Sequence, residues 1–420
     1  MKITIVGAGS GYMPGIIRGV LHRAADLRGA ELACYDTDQP AQALMARLAR
    51  GMLKDLCTVT EHSSLKTALD GADFVFTTFR PGGMRARHLD EAIPLRHGVV
   101  GQETAGPGGF LMACRSVPVL LEIAEHAPED AWIINYTNPT SIVTDAVLQR
   151  FPGRRFIGLC DQHVGDTEMW EDLLGLDGLE ADWIGLNHFT WASRVRHKGV
   201  ELDLPPLLDA LSAPGGGATP WRDPSRMTEL GRALGYLPNS YAKYYFFHDE
   251  VVAELRAKGT TRAEDILATL PGFLAQITEE SRKADPDPSR ERGGGEHGEF
   301  AVDTICAIAG DEHRRLILNV PNAGGAIASL APDATVEIPC DVGRDGPRAL
   351  PVPDIPLPTR GLTQAVAAYE RLAGRAATTG DRKIALQALM AHPFIRSKHT
   401  AGAILDEGLA AHRADLPRFF

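Results

Sequence analysis

A chain of 420 residues, 44% hydrophobic and 23% charged, is long enough for two domains sharing one cleft, at about 100–200 residues per domain, with a core that needs no disulfide or metal staple. A net charge of −11 disfavours nucleic acid and anionic membrane as partners, because both require a positive field, while leaving room for local arginines to hold a small anion. The six scattered cysteines form no CxxC pair and suit reduced thiols in a cytoplasmic protein, and no apolar run nears the roughly 18 residues of a membrane span.

Residues 2–6 read as a short buried strand and carry none of the zones of a signal peptide. A glycine-rich break follows from Gly7 to Gly15, then a helical pattern from Ile16 to Leu27. A second strand, 31–35, ends at Asp36, and a helix covers roughly 39–56. The run 72–79 is the next strand, residues 80–97 read as a basic loop, and 120–126 is helical. A strand at 131–136, a helix at 141–150 and a strand at 156–160 complete an alternation that predicts a doubly wound parallel sheet. From about residue 195 the texture changes. A Pro/Gly/Ala-rich stretch at 204–220 predicts a loop, helical patterns dominate 241–284 and 361–417, and one strand-like piece lies near 315–320. The expected fold is α/β, with a Rossmann-like domain over 1–195 and a mainly helical α+β domain over 196–420 completing the active site.

Ligands of open α/β sheets lie beyond the carboxyl ends of the strands, and the chemically loaded segments fall there. Gly7 allows a tight turn and Gly9 a close approach of pyrophosphate to a helix N-terminus, while Asp36 can accept from the adenosine ribose hydroxyls and disfavours a 2′-phosphate. The third glycine of the usual fingerprint is missing, since position 12 is Tyr. Cys160 offers a thiolate to a divalent ion and Asp161 a proton, although a lone cysteine after a strand is more often a small buried hydrophobe. His188, in Gly185-Leu186-Asn187-His188, supplies a second possible ligand, although a lone histidine there is usually structural. Tyr241 stands among three tyrosines that composition cannot tell from packing aromatics. The segment Arg80, Arg85, Arg87, His88, Arg96 and His97 concentrates positive charge in an acidic chain and suggests an anionic ligand, with a solvated surface loop as the plainer account.

Taken together these strings resemble glycoside hydrolase family 4, the NAD- and metal-dependent glycosidases. The resemblance runs nearly the whole length, through Asp90-Glu91, Gly98-Val99-Val100-Gly101-Gln102-Glu103-Thr104, Asn135-Tyr136-Thr137-Asn138-Pro139, Cys160-Asp161, Thr261-Arg262-Ala263 and Val336-Glu337. It implies Cys160 and His188 as metal ligands, usually for Mn²⁺, Asp161 as leaving-group acid and Tyr241 as base at C2. It places Gly7, Gly9, Ser10, Asp36, Arg80 and Glu103 toward NAD, Arg87, Asn187 and Arg262 toward the sugar, and Asn138 toward both. The implied route oxidises C3 by hydride transfer to NAD⁺, removes the C2 proton, expels the aglycone, adds water at C1 and returns the hydride. The dinucleotide is then recycled and the net reaction is hydrolysis.

Cys-Asp sides with the 6-phospho-α-glucosidases of the family, but Gln162-His163 replaces their Met-Pro, so a 6-sulfoglucoside (sulfoquinovoside) stands level with a 6-phosphoglucoside as the implied substrate. Unmodified α-glucosides are an alternative. Two rivals remain at this point: an NAD-dependent sugar dehydrogenase that releases NADH, and a non-catalytic NAD sensor. A homodimer or homotetramer is the family expectation.

Overall fold

The computed structural model describes residues 1–212, 224–288 and 297–420. Six parallel strands come first: β1 (Lys2–Val6), β2 (Glu31–Tyr35), β3 (Thr58–His62), β4 (Phe74–Thr77), β5 (Trp132–Asn135) and β6 (Phe156–Gly158). Their spatial order is β3-β2-β1-β4-β5-β6, so the chain reverses direction across the sheet between β1 and β4 and opens a crevice at their carboxyl ends.

The sheet then continues without a break. The strands β7 (Leu179–Leu186), β8 (Phe189–His197), β9 (Val200–Glu201), β10 (Leu237–Pro238), β11 (Arg314–Pro321), β12 (Thr335–Gly343) and β13 (Gly346–Ala349) join it in antiparallel pairs. β11 docks on β6 through Asn319 opposite Gly158, and β12 meets β7 through Glu337 opposite Gly185. The carboxyl half of the chain therefore contributes helices, as its periodicity predicts, and also the extension of the sheet. Most of β7, β11 and β12 is buried on both faces, so these strands lack the alternation that reveals a half-exposed strand.

Several boundaries differ from the sequence expectation. Residues 83–96 form a helix, Gly83–Arg96, not a loop. Its buried face carries Asp90 and Glu91 beside Ala86 and Ile93, so the apolar stripe that marks a helix is interrupted by charge. Arg115 answers Asp90 in a fully buried ion pair at 2.5 Å, and Arg87 answers Glu91 at 2.8 Å. The helical stretch seen at 120–126 is the end of a helix from Gly106 to His126. By length and composition that helix could cross a membrane, yet 78% of its most apolar window is buried in the core. Within the expected loop at 204–220, Leu204–Leu211 is a helix, and residues 213–220 lie outside the described residues.

Candidate active site

Gly7 turns out of β1 at φ 97°, and a Cβ there would stand 2.3 Å from the Thr78 carbonyl oxygen. A Cβ on Gly9 would stand 2.8 Å from that of Ala41 and 3.0 Å from Asp36 Oδ2. Asp36, at the end of β2, accepts from the Gly9 amide at 2.8 Å and from the Asp38 amide at 2.9 Å. Ser10 closes the turn by donating its amide to the Gly7 carbonyl at 3.0 Å. The helix Met13–His22 begins beyond it with no acidic residue in its first turn. A bare backbone, a helix N-terminus and a carboxylate thus meet where a dinucleotide lies in such sheets.

Cys160 follows β6, and His188 occupies the second position of a two-residue turn joining β7 to β8. His188 holds φ at 60°, the left-handed region, with Leu186 paired to Phe189 across the hairpin. The turn delivers its Nε2 to 3.4 Å from Cys160 Sγ, and both residues are only 5% exposed. A small divalent ion with about 2.3 Å to sulfur and about 2.1 Å to nitrogen would hold such a pair about 3.1–3.6 Å apart, so the donors fit one ion. Among the described residues no third His, Cys, Asp or Glu groups with these two donors. Burial pushes the His188 imidazole down to about 4, keeping a lone pair free at neutral pH. Burial, with Glu337 and Asp161 nearby, pushes the Cys160 thiol well up, while the Gln162 amide and the Asn187 side chain act the other way.

Tyr241 stacks on the His188 ring at 4.3 Å and 12°. Its hydroxyl receives a long 3.4 Å hydrogen bond from Gln102 Nε2. Burial, then Tyr244, Cys160 and Glu103, push the phenol well above its usual value, and Arg87 opposes them. Asp161, next to Cys160, stands at the N-terminal boundary of the helix Gln162–Leu174 without a capping hydrogen bond from its side chain. Arg80 and Arg87 share Glu103, with Arg87 at 3.1 Å, which links the expected cofactor side to the expected sugar side. Burial works against the charge of Arg87, but Glu103 and Glu91 outweigh it and its pKa lies above the usual range. Arg262 opens the helix Arg262–Glu280, whose Ala263 amide donates to Glu91 Oε2 at 3.0 Å.

Asn138 sits two residues before Thr140, which donates to Asn138 Oδ1 and to the Leu159 carbonyl, both at 3.3 Å. Asn187 precedes His188 in the same two-residue turn. Its amide donates to Glu337 Oε1 at 3.1 Å, and Asn319 donates to the same oxygen at 2.9 Å. Burial raises Glu337 to about 7, against the pull of those two amides. Glu337, Glu91 and Gln102 lie within strings that carry the family resemblance, yet nothing local marks them as site residues. Each meets its partner, Asn187, Ala263 or Tyr241, across more than a hundred positions of sequence.

A cavity of about 600 Å³ opens beside Tyr241, with Arg87, Lys243, Arg256, Lys258 and Arg262 on its walls against Glu91, Glu103 and Glu264. Of the six basic residues singled out by sequence, Arg87, His88 and Arg96 line this cavity, while Arg85 and His97 are tied to Asp415 and Glu407 of the C-terminal segment, and Arg96 also reaches Glu407.

A Rossmann crevice joined to a soft-donor pair and a basic cavity defines a nucleotide-fold enzyme with room for a metal and an anionic substrate. Residues 2–176 match the model of the family 4 glycosyl hydrolases, and residues 183–395 match that of the family 4 glycosyl hydrolase C-terminal domain. The chain belongs to family 4 and is a glycoside hydrolase.

It is 35% identical to a protein of Bacillus subtilis (strain 168) named "Probable 6-phospho-beta-glucosidase", covering 100% of this chain and 98% of the other. It is 32% identical to the maltose-6′-phosphate glucosidase MalH of Clostridium acetobutylicum, covering 97% and 96%. Among solved structures it superposes with TM-score 0.90 on a 6-phospho-alpha-glucosidase from gut microorganisms in complex with NAD and glucose-6-phosphate, at 30% identity over 100% of both chains. The 6-phospho-beta glucosidase of Thermotoga maritima with manganese, NAD⁺ and glucose-6-phosphate gives TM-score 0.86 at 28% identity over 99% of both.

Proposed function

We propose that this protein hydrolyses glucosides carrying an anion at C6, with 6-phospho-α-glucosides as the first candidates, using NAD and Mn²⁺. The observation that carries the reading is the Cys160–His188 pair at 3.4 Å with Tyr241, which lines the basic cavity, stacked on the imidazole. The relatives support a phosphorylated sugar, and the solved structures support both cofactors. When bound, NAD⁺ supplies a reversible hydride acceptor and the metal a Lewis acid that acidifies the carbon next to a ketone.

The chain's own residues divide the remaining work. Gly7 and Gly9 leave the backbone bare for the pyrophosphate, and Asp36 faces the ribose. Cys160 and His188 would hold the metal on one side only. Arg87 and Arg262 orient the anionic sugar, since a guanidinium meets a phosphate or sulfonate with two parallel bonds. Tyr241 takes the C2 proton, and Asp161 protonates the departing glycosidic oxygen. Arg87, at the cavity wall, favours the phenolate by its charge. The reduced thiol that Cys160 must keep is what makes the cytoplasm the fitting compartment.

The test is a screen of aryl α-glucosides bearing 6-hydroxyl, 6-phosphate or 6-sulfonate, each with NAD⁺ and Mn²⁺. Turnover of the phosphate, loss with chelator and recovery with Mn²⁺ are expected. Preference for the sulfonate would move the substrate class to sulfoquinovosides. NADH accumulating one-for-one with product would make the protein a net dehydrogenase and sink the proposal.

A further inference from the structure

We propose that Gln162 and Asp166 are positioning residues that set Tyr241 for proton removal by clamping its turn to the helix that starts just after Cys160. The proposal rests on the reading of Tyr241 as the C2 base. Gln162 is the first residue of the helix Gln162–Leu174 and Asp166 stands one turn further on, so both side chains share a face. That face meets the turn Asn239-Ser240-Tyr241. Gln162 Nε2 donates to Asp166 Oδ2 at 2.5 Å and to Ser240 Oγ at 3.1 Å, while its Oε1 accepts from Asn239 Nδ2 at 3.0 Å. The Ser240 amide donates to Asp166 Oδ2 at 2.9 Å.

The turn is held from the other side by the strand that follows His188. Asn239 donates its side-chain amide to Thr190 Oγ1 at 3.0 Å and its backbone amide to the Thr190 carbonyl at 3.0 Å. Asn239 Oδ1 then accepts from the Tyr241 amide at 3.1 Å. The Tyr241 backbone is thus tied to the segment after Cys160 and to the segment after His188, the two residues that flank the chemistry. Neither Gln162 nor Asp166 hydrogen-bonds the phenol, whose hydroxyl meets Gln102 and whose ring meets His188 and Tyr244. Asp166 is 5% exposed, so its acceptor sites serve this clamp and not solvent. A displacement of about 1 Å between a base and its carbon costs about a hundredfold in rate.

The experiment combines Gln162→Ala, the same-length Gln162→Met and Asp166→Asn with Tyr241→Phe in the holoenzyme, using 6-phosphoglucosides protiated or deuterated at C2 and at C3. Each clamp variant should lower kcat about 10- to 100-fold while KM and NAD affinity move less than about threefold. The C2 isotope effect should rise and the C3 effect fall, because only the proton step is slowed. Added to Tyr241→Phe, the clamp variants should cost little more, since both act through one phenol. Equal fold-losses with Tyr241 intact and with Tyr241→Phe in place, or unchanged isotope effects, would overturn the positioning role. A wild-type enzyme that exchanges no C2 hydrogen with D₂O would instead overturn Tyr241 as the base. Should Asp166→Asn fail to fold, Gln162→Met, which keeps the volume and removes all three Gln162 side-chain hydrogen bonds, decides alone.

Discussion

Tyr241 and Gly9 show how much one side chain decides here. Removing the Tyr241 hydroxyl leaves its ring stacked on His188, so Tyr241→Phe should fold normally and lose about 10²–10⁴ in kcat, the worth of a positioned general base. Product formed in D₂O should still carry deuterium at C2, since every turnover passes through C2 deprotonation, while its rate of formation falls with kcat. Gly9→Ala should lower NAD affinity at least about tenfold by calorimetry, because its Cβ would press on Asp36 Oδ2 at 3.0 Å and on Ala41 at 2.8 Å and displace the cradle. Cys160, Asp161, His188 and Tyr241 are legible because each stands in a distinctive string, the first three at strand ends. Asp166 and Gln162 are not, since their partners at 239 and 240 lie more than seventy residues away and only folding brings them together.

The hairpin β7–β8 is the element that brings His188 to Cys160, the pair proposed to hold the metal. Its two-residue turn forces His188 into the left-handed region, a conformation that asparagine tolerates and β-branched residues resist. Both His188→Asn and His188→Val should lose Mn²⁺ retention in equilibrium dialysis. In urea denaturation His188→Asn should stay within about 1 kcal/mol of the parent, and His188→Val should lose about 1–3 kcal/mol more from backbone strain. The helix Gly83–Arg96 carries the opposite lesson. Its charges read as a loop because burial of Asp90 and Glu91 is tolerable only with Arg115 and Arg87 in place, and sequence periodicity registers apolar stripes, not ion pairs.

At the scale of the whole molecule, buried titratable groups should shape the pH profile of stability. Glu370, on the helix Leu357–Thr379, accepts from Ser141 of the helix Thr140–Arg150 at 2.5 Å, and burial raises it from 4.5 to about 8. The folded state then binds a proton that the unfolded state has released, so this contribution is complete below 4.5 and is lost as pH rises toward 8. Asp145 and Glu337 face the same group and reinforce the shift. Melting temperature should fall between about pH 6.5 and about pH 8, and Glu370→Gln should flatten that fall; an equal fall in the variant would assign it elsewhere. Burial lowers His163 to about 4 and His392 to about 3, which works the other way on the acid side: stability drops as pH falls from 6.5 through those values.

The same scale separates the two sources of information. Sequence alone determined the Rossmann start, because a strand, a glycine turn, a helix and an acid lie within the first 36 residues and need only local geometry. It also supplied the residue types that the proposed site needs, because chemistry belongs to residue type. The tertiary structure decided that one sheet runs through both halves of the chain, since buried strands such as β12 carry no alternation to read. It also decided that Arg87 and Arg96 face the cavity while Arg85 and His97 brace the C-terminal segment. Distance between side chains from remote segments is a property of the packed sheet, and that distance turns Cys160, His188 and Tyr241 from three separate motifs into one site.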